Sequence, residues 1–208
     1  DIDTEREERE GELIYIKYHL SSNSDTAKQQ NGYIEVATTR AETMLGDTAV
    51  VVNPKDDRYK HLIGKKLIFP IIGREIPIIT SPHVDMDFGT GAVKLTPAHS
   101  QDDYKMMLEH NNQTPDSKIG YINVIDKNGK MTGPISEKYK GMTTEECLEK
   151  IIKDLEDTGL ITKREPHTMN VMIGERSKAV VEQIMSSQWF IDVDKLKQPA
   201  IDAIQKEE

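Results

Sequence analysis

The chain has 208 residues, of which 36% are hydrophobic, and a formal net charge of −9. A chain of this length forms one domain and buries roughly 70% of its unfolded surface, so its fold needs no covalent staple. The single cysteine, Cys147, excludes a disulfide framework and a thiolate zinc site, and no apolar run approaches the roughly 20 residues of a membrane-spanning helix.

From the N-terminus, residues 1–12 carry seven acidic side chains against Arg6 and Arg9. They read as an exposed connector without signal-peptide character, and a soluble, cytoplasmic protein is expected. Strands are expected at 13–18 and 33–38, with a loop of Ser, Asn, Asp and Gln between them. Further strands are expected at 48–52, 67–72, 75–80, 91–96 and 119–125, and Asn128-Gly129 marks a tight turn. One helix opens at Ser100 with Asp103 at its third position and carries Met106, Met107 and Leu108. A second opens with a Thr143-x-x-Glu146 capping box. It places Cys147, Leu148, Ile151, Ile152 and Leu155 at helical spacing and stops at Gly159. From 168 the chain returns to short β-like segments and ends in a charged, helix-like run. The fold class is α+β: a strand-dominated, barrel-like core with peripheral helices, because turns rather than helical crossovers link the strands. The chain divides into a connector and first strand (1–20), a core (21–167) and a return segment (168–208).

The charge is uneven. Segment 145–157 holds six acids against Lys150 and Lys153, and with 1–12 it accounts for the whole −9. In the otherwise neutral remainder, Lys60, Lys65, Lys66 and Arg74 cluster around a strand-rich stretch. That cluster suits either a guide for a phosphate backbone or a solvated face.

Most enzyme signatures are missing: there is no G-x-S-x-G elbow, paired His-x-x-x-His, Walker loop or G-x-G-x-x-G. His19, His61, His83, His110 and His167 are scattered and read as structural. His99, directly after Pro97-Ala98 and before a helix, reads as a positioning residue rather than a general base. Two segments stand out. Thr38-Thr39-Arg40-Ala41-Glu42-Thr43-Met44-Leu45-Gly46-Asp47 runs from a strand end into a polar turn. In Asp87–Tyr104, Gly89 and Gly91 leave the backbone open to close approach. Strand alternation then sends Ala92, Lys94 and Thr96 to one face and Val93 and Leu95 to the other, which makes a polar recess. Pro97 ends the strand, and Asp102 and Asp103 sit in the first turn of a helix, where its dipole favours carboxylates.

Together these two segments resemble the editing domain of the class I aminoacyl-tRNA synthetases for valine, isoleucine and leucine. Glu42–Val50, Gly73–Ile79, Arg176-Ser177, Val181-Glu182 and Gln188-Trp189-Phe190 are similar to the valine members; the isoleucine family carries a tryptophan at the position of Glu42. Three residues depart from the pattern: Ala41 replaces a proline, Ser100 an aspartate and Gly174 a cysteine. The resemblance implies hydrolysis of threonine from mischarged tRNA(Val) by a positioned water, helped by the free hydroxyl of the terminal ribose. Thr38, Thr39 and Asp103 form the implied catalytic set, with Thr38 and Thr39 holding the ester and ribose. Arg40, Glu42, Phe88, Lys94, Thr96 and Asp103 contact the substrate. Lys94 and Asp103 share the side-chain hydroxyl and the α-ammonium between them, Phe88 forms an apolar wall, and Arg40 anchors a phosphate or the shape of the pocket. His99 and Asp47 stand behind these. No metal, cofactor or covalent nucleophile is implied, since ATP and Mg serve only a catalytic domain whose signatures are missing here. The implied partners are the tRNA(Val) 3′ end, the threonine moiety and the rest of the synthetase, with no membrane and a monomeric state. An isoleucyl-type editing domain and a non-catalytic tRNA-binding module are the alternatives. Loss of Lys94 or Asp103 is expected to impair hydrolysis and to leave folding nearly untouched.

Overall fold

The computed structural model describes residues 3–21, 32–189, 191 and 193–205; the expected loop at 22–31 lies outside them, as does Phe190. Seven strands form one sheet: β1 (Thr4–Leu20), β2 (Tyr33–Thr38), β3 (Ala49–Val52), β4 (Lys66–Ile68), β5 (Glu75–Thr80), β6 (Ala92–Leu95) and β7 (Ile161–Gly174). They run in the order β2-β1-β4-β5-β3-β6, with β7 paired to β1. Only β3 and β5 are parallel. The sheet curls so that its two end strands, β2 and β6, pack together without a ladder. The Thr90 hydroxyl donates to the Glu35 carbonyl at 2.7 Å across this seam. Gly89, at φ +58°, permits the approach, because a Cβ there would lie 2.8 Å from that of Ala37. Among the described residues closure rests on packing and this side-chain bond, so the core is barrel-like while the hydrogen-bonded sheet stays open.

Three segments depart from expectation. β1 begins at Thr4, not near residue 13, and its first half pairs with β7 from Thr4↔Gly174 to Tyr15↔Lys163. This ribbon presents charge on both faces, for example the pairing of Arg164 with Glu12 and Glu156. Backbone pairing holds it, and no apolar alternation announces its β1 side before Leu13. At 119–125 there is no strand but extended backbone, fastened by a single bridge, Ile125↔Met131. The expected strand at 67–72 ends at Ile68, since Pro70 interrupts it and the chain turns back through Ile71 and Gly73, both at positive φ.

Two cores lie on opposite sides of β3. Val50 and Val52 face the interior of the curl with Ile14, Ile16, Val36 and Met44. Val51 faces a smaller core with Leu95 and with Met107 of α1 (Gln101–Gln113). A strand buried on both faces reads as the continuous run Ala49-Val50-Val51-Val52. α2 (Thr144–Asp157) closes the main core with Cys147, Ile151 and Leu155 at four-residue spacing. Its capping box forms in both directions: Glu146 N–H donates to Thr143 Oγ1 at 3.1 Å, and Thr143 N–H donates to the Glu146 carboxylate at 2.8 Å. Thr143→Ala should therefore lower stability by about 1 kcal/mol. A urea midpoint equal to the parent's would refute that role for the cap. A third helix, α3 (Val193–Gln205), carries Pro199 within it, and Trp189 just before it is 84% exposed. Among the described residues, no helix is long and apolar enough to cross a membrane.

Candidate active site

β2 ends at Thr38, whose hydroxyl oxygen accepts the Arg40 N–H at 3.0 Å and turns the chain. Residues Ala41–Gly46 form a fully buried 3₁₀ turn, with Ala41 at its first position. Gly46 lies so close to the Ile122 carbonyl that a Cβ would meet it at 2.8 Å. The turn delivers Thr43 and Asp47 to the rim of the main core. β6 and the residue after it supply Lys94 and Thr96 on the same side, as alternation requires: Ala92 faces the main core, while Val93 and Leu95 face the smaller one.

These side chains form one buried hydrogen-bonded set. Lys94 is 8% exposed, and its ammonium donates to Thr43 Oγ1 at 2.8 Å and to Thr96 Oγ1 at 2.7 Å. The Thr43 hydroxyl donates to the Arg40 carbonyl at 3.0 Å. The Thr96 hydroxyl donates to Asp47 Oδ1 at 2.6 Å, and the Tyr18 hydroxyl donates to Asp47 Oδ2 at 2.7 Å. Lys94 Nζ itself stands 3.7 Å from Asp47 Oδ1. Burial pushes the fully enclosed Asp47 carboxyl up to about 6, against the opposing pull of Lys94, Thr96 and Tyr18. Asp103, in the first turn of α1, accepts the Thr96 N–H at 2.7 Å, while Ser100 caps the helix by accepting the Asp103 N–H at 3.2 Å. Removing the Asp103 carboxylate would therefore strand a backbone donor, and removing Lys94 would strand a buried carboxylate. Both changes are therefore expected to cost stability, where the sequence alone led to the expectation that folding would be nearly untouched.

His99 is 3% exposed and has both ring nitrogens committed. Nε2 accepts the Val124 N–H at 2.9 Å, so Nδ1 carries the proton and donates to the Gln183 carbonyl at 2.9 Å. Burial lowers its pKa and keeps it neutral. With no lone pair left over, it ties three segments together rather than acting as a base. His99→Ala should cost on the order of 2 kcal/mol, since it leaves the Val124 donor unmet. Because the folded pKa lies below the unfolded one, His99 withdraws stability from the parent as pH falls below about 6.5. The gap between parent and variant, followed by urea unfolding, should shrink on that side. A gap that widens there would contradict the neutral assignment.

Arg40 spans two carboxylates: Nε donates to Glu42 Oε1 at 2.9 Å and Nη2 to Glu182 Oε2 at 2.5 Å. Glu42, expected at the substrate, is 4% exposed behind this guanidinium, and its buried Oε2 has no hydrogen-bond partner among the described residues. Burial raises its pKa, with Arg40 opposing. Thr39, Arg40, Glu42 and Glu182 line a cleft of about 360 Å³ against β7 and the first turn of α2.

Comparison with known proteins places this arrangement. Residues 61–156 match the family described as leucyl-tRNA synthetase, editing domain. That stretch holds Lys94, Thr96, His99 and Asp103 but not the turn at 38–47. The valine--tRNA ligase of Staphylococcus epidermidis is 45% identical over 202 residues, 97% of this chain and 21% of that protein. Those of Bacillus thuringiensis and Bacillus licheniformis are 45% and 46% identical over all 208 residues, 22% of each. The chain is thus similar over nearly its whole length to valyl-tRNA synthetases, and over 61–156 to a synthetase editing domain. It spans about a fifth of the length of the relatives it matches.

Within this chain, not every expected site residue joins the buried set. Thr38 is buried at the β2 end, Thr39 faces the cleft, and the 48%-exposed Phe88 packs its ring on His167 at 5.8 Å. No hydrogen bond or ring contact among the described residues joins these three to Lys94 or Asp47. The basic cluster is not a bare patch either. Lys60 pairs with Asp57 at 2.5 Å, Lys66 with Glu75 at 3.0 Å, and Arg74 donates to the Leu45 and Asp47 carbonyls with its guanidinium over Phe69. Three participants went unassigned from sequence. Thr43 lay inside the quoted turn and Glu182 inside the return segment, but no spacing rule links them to Lys94 or Arg40. Tyr18 carried only the signal of an inward-facing hydroxyl.

Proposed function

We propose that this domain hydrolyses threonyl-tRNA(Val), the product of mischarging in place of valine. The observation that carries the reading is a buried lysine whose ammonium is aimed by two threonines at the edge of the main core. Threonine and valine are nearly isosteric, so a pocket built for valine rejects threonine only weakly, and a second site must read the hydroxyl. Lys94 has three N–H groups and gives two of them to Thr43 and Thr96. The third is offered to the threonine hydroxyl. Valine would leave it unmet, at about 1–3 kcal/mol. Asp103 spends one carboxylate oxygen on the Thr96 N–H and offers the other to the α-ammonium.

Thr38 and Thr39 stand at the ribose and ester, and Phe88 walls the mouth. Arg40, held by Glu42 and Glu182, fixes the shape of the turn rather than binding a phosphate. A positioned water attacks the ester carbonyl, the bond to the ribose oxygen breaks, and the proton passes to that oxygen. Threonine leaves, and the 3′ end regains its hydroxyl. Catalysis rests on positioning and electrostatics, with no metal, cofactor or covalent enzyme intermediate. ATP and Mg would serve the aminoacylating part of a longer synthetase. In that setting the domain works in the cytoplasm as part of a monomer and receives the tRNA(Val) 3′ end. The test is release of labelled threonine from threonyl-tRNA(Val) by the purified chain. A rate no greater than spontaneous deacylation would overturn the reading and favour a non-catalytic tRNA-binding module.

A further inference from the structure

We propose that Tyr18 is a positioning residue for this hydrolysis: its buried hydroxyl holds Asp47 as a proton acceptor and so sets the direction of the chain that ends at the Lys94 ammonium. The inference rests on the hydrolytic reading above. It follows from counting protons. The single Tyr18 proton goes to Asp47 Oδ2, and the Thr96 proton goes to Asp47 Oδ1. With its proton committed, Thr96 offers Lys94 only a lone pair, as does Thr43, whose proton is on the Arg40 carbonyl. Every link therefore points one way, and the lysine has no freedom to exchange roles.

A proton on Asp47 disturbs this order. On Oδ2 it competes with the Tyr18 proton, and on Oδ1 it would leave Thr96 unable both to accept from Lys94 and to donate to Asp47. The groups facing Asp47 are Tyr18 from β1, Lys94 and Thr96 from β6 and the following residue, Asp103 from α1, and Arg74 from the turn before β5. Lys94 and the two hydroxyls favour the charged carboxylate, while burial and Asp103 oppose it. Burial and the neighbouring carboxylate hold the Tyr18 phenol well above its ordinary value, so it stays a donor throughout the working range. Its ring is fully buried, edge-on to Phe69 at 6.1 Å. Phenylalanine keeps that packing and removes only the donor.

The experiment follows the Asp47 carboxyl by carbon NMR against pH in the parent, Tyr18→Phe and Thr143→Ala, with Asp47→Asn assigning the resonance. Threonyl-tRNA hydrolysis is measured over the same range. Tyr18→Phe should raise the Asp47 midpoint by about one pH unit, the size of one hydrogen bond to a charged group. The acid limb of the rate profile should move with it. Thr143→Ala, which weakens only the α2 cap, should move neither. Should Tyr18→Phe fail to fold, 3-fluorotyrosine incorporation, which makes the phenol a better donor, should move the midpoint down. An active parent with an unmoved midpoint, or an equal shift in Thr143→Ala, overturns this inference alone. An inactive parent overturns the hydrolytic reading and this inference with it.

Discussion

Lys94→Met is expected to lower threonyl-tRNA hydrolysis at least about tenfold, equivalent to about 1.4 kcal/mol at the transition state. Methionine fills similar volume and keeps the apolar stem, so the missing element is the ammonium. Two consequences follow. The threonine hydroxyl loses the donor proposed to read it, and the buried Asp47 loses the cation 3.7 Å away. Stability should fall by roughly 3 kcal/mol, as when one partner of a buried pair is removed. Because Lys94 pulls the Asp47 pKa down, its loss should raise that pKa from about 6 toward neutrality. The raised folded pKa then softens the loss at low pH, where Asp47 is protonated, and the full destabilisation shows above neutrality. Deacylation should be measured well below the variant's Tm, with the folded fraction checked by circular dichroism. Parental hydrolysis at equal folded fraction would remove Lys94 from the site. Activity falling only in step with unfolding would make it a structural cation.

The second large effect separates two duties of Asp103. Its carboxylate straps the Thr96 N–H, and in the proposed reading it also meets the substrate ammonium. Asp103→Ala removes both. It should cost about 1–3 kcal/mol in stability through the stranded donor, along with at least about a tenfold loss of hydrolysis. Asp103→Asn keeps an acceptor for Thr96 and loses the charge. Ser100 still caps α1 in either variant, since it binds the backbone N–H of residue 103. The asparagine variant should therefore unfold near the parental urea midpoint yet hydrolyse at least about tenfold more slowly. If Asp103→Asn matches the parent in both, the carboxylate is a backbone strap and the ammonium is read elsewhere.

What could be read from sequence follows the range of the interactions. β2 and β5 begin and end where their β-rich runs do, and the Thr143 capping box and Ser100 cap form as written, because caps and alternation are local. The turn at 38–47 and the Lys94–Thr96 face were visible for the same reason. The β1–β7 ribbon was not. Its strands hold each other through backbone bonds between residues far apart, and the charged first part of β1 carries no apolar period. Arg40 and Glu182 are 142 residues apart, Thr43 and Lys94 51, and Tyr18 and Asp47 29. Such pairs exist only after the sheet has curled. The basic cluster stayed open between two readings in the sequence, and once folded Lys60, Lys66 and Arg74 each have separate acidic or backbone partners.

The central claim is that a buried, oriented ammonium lets this domain distinguish a hydroxyl from a methyl group. It is tested most directly by the ratio of single-turnover deacylation rates for threonyl-tRNA(Val) and valyl-tRNA(Val) with the same preparation. The account predicts threonine release at least about tenfold faster at neutral pH, from a cost of about 1–3 kcal/mol for the unmet donor. The preference should narrow as pH falls through about 6 and Asp47 takes up its proton. Equal rates for the two esters at neutral pH would contradict it.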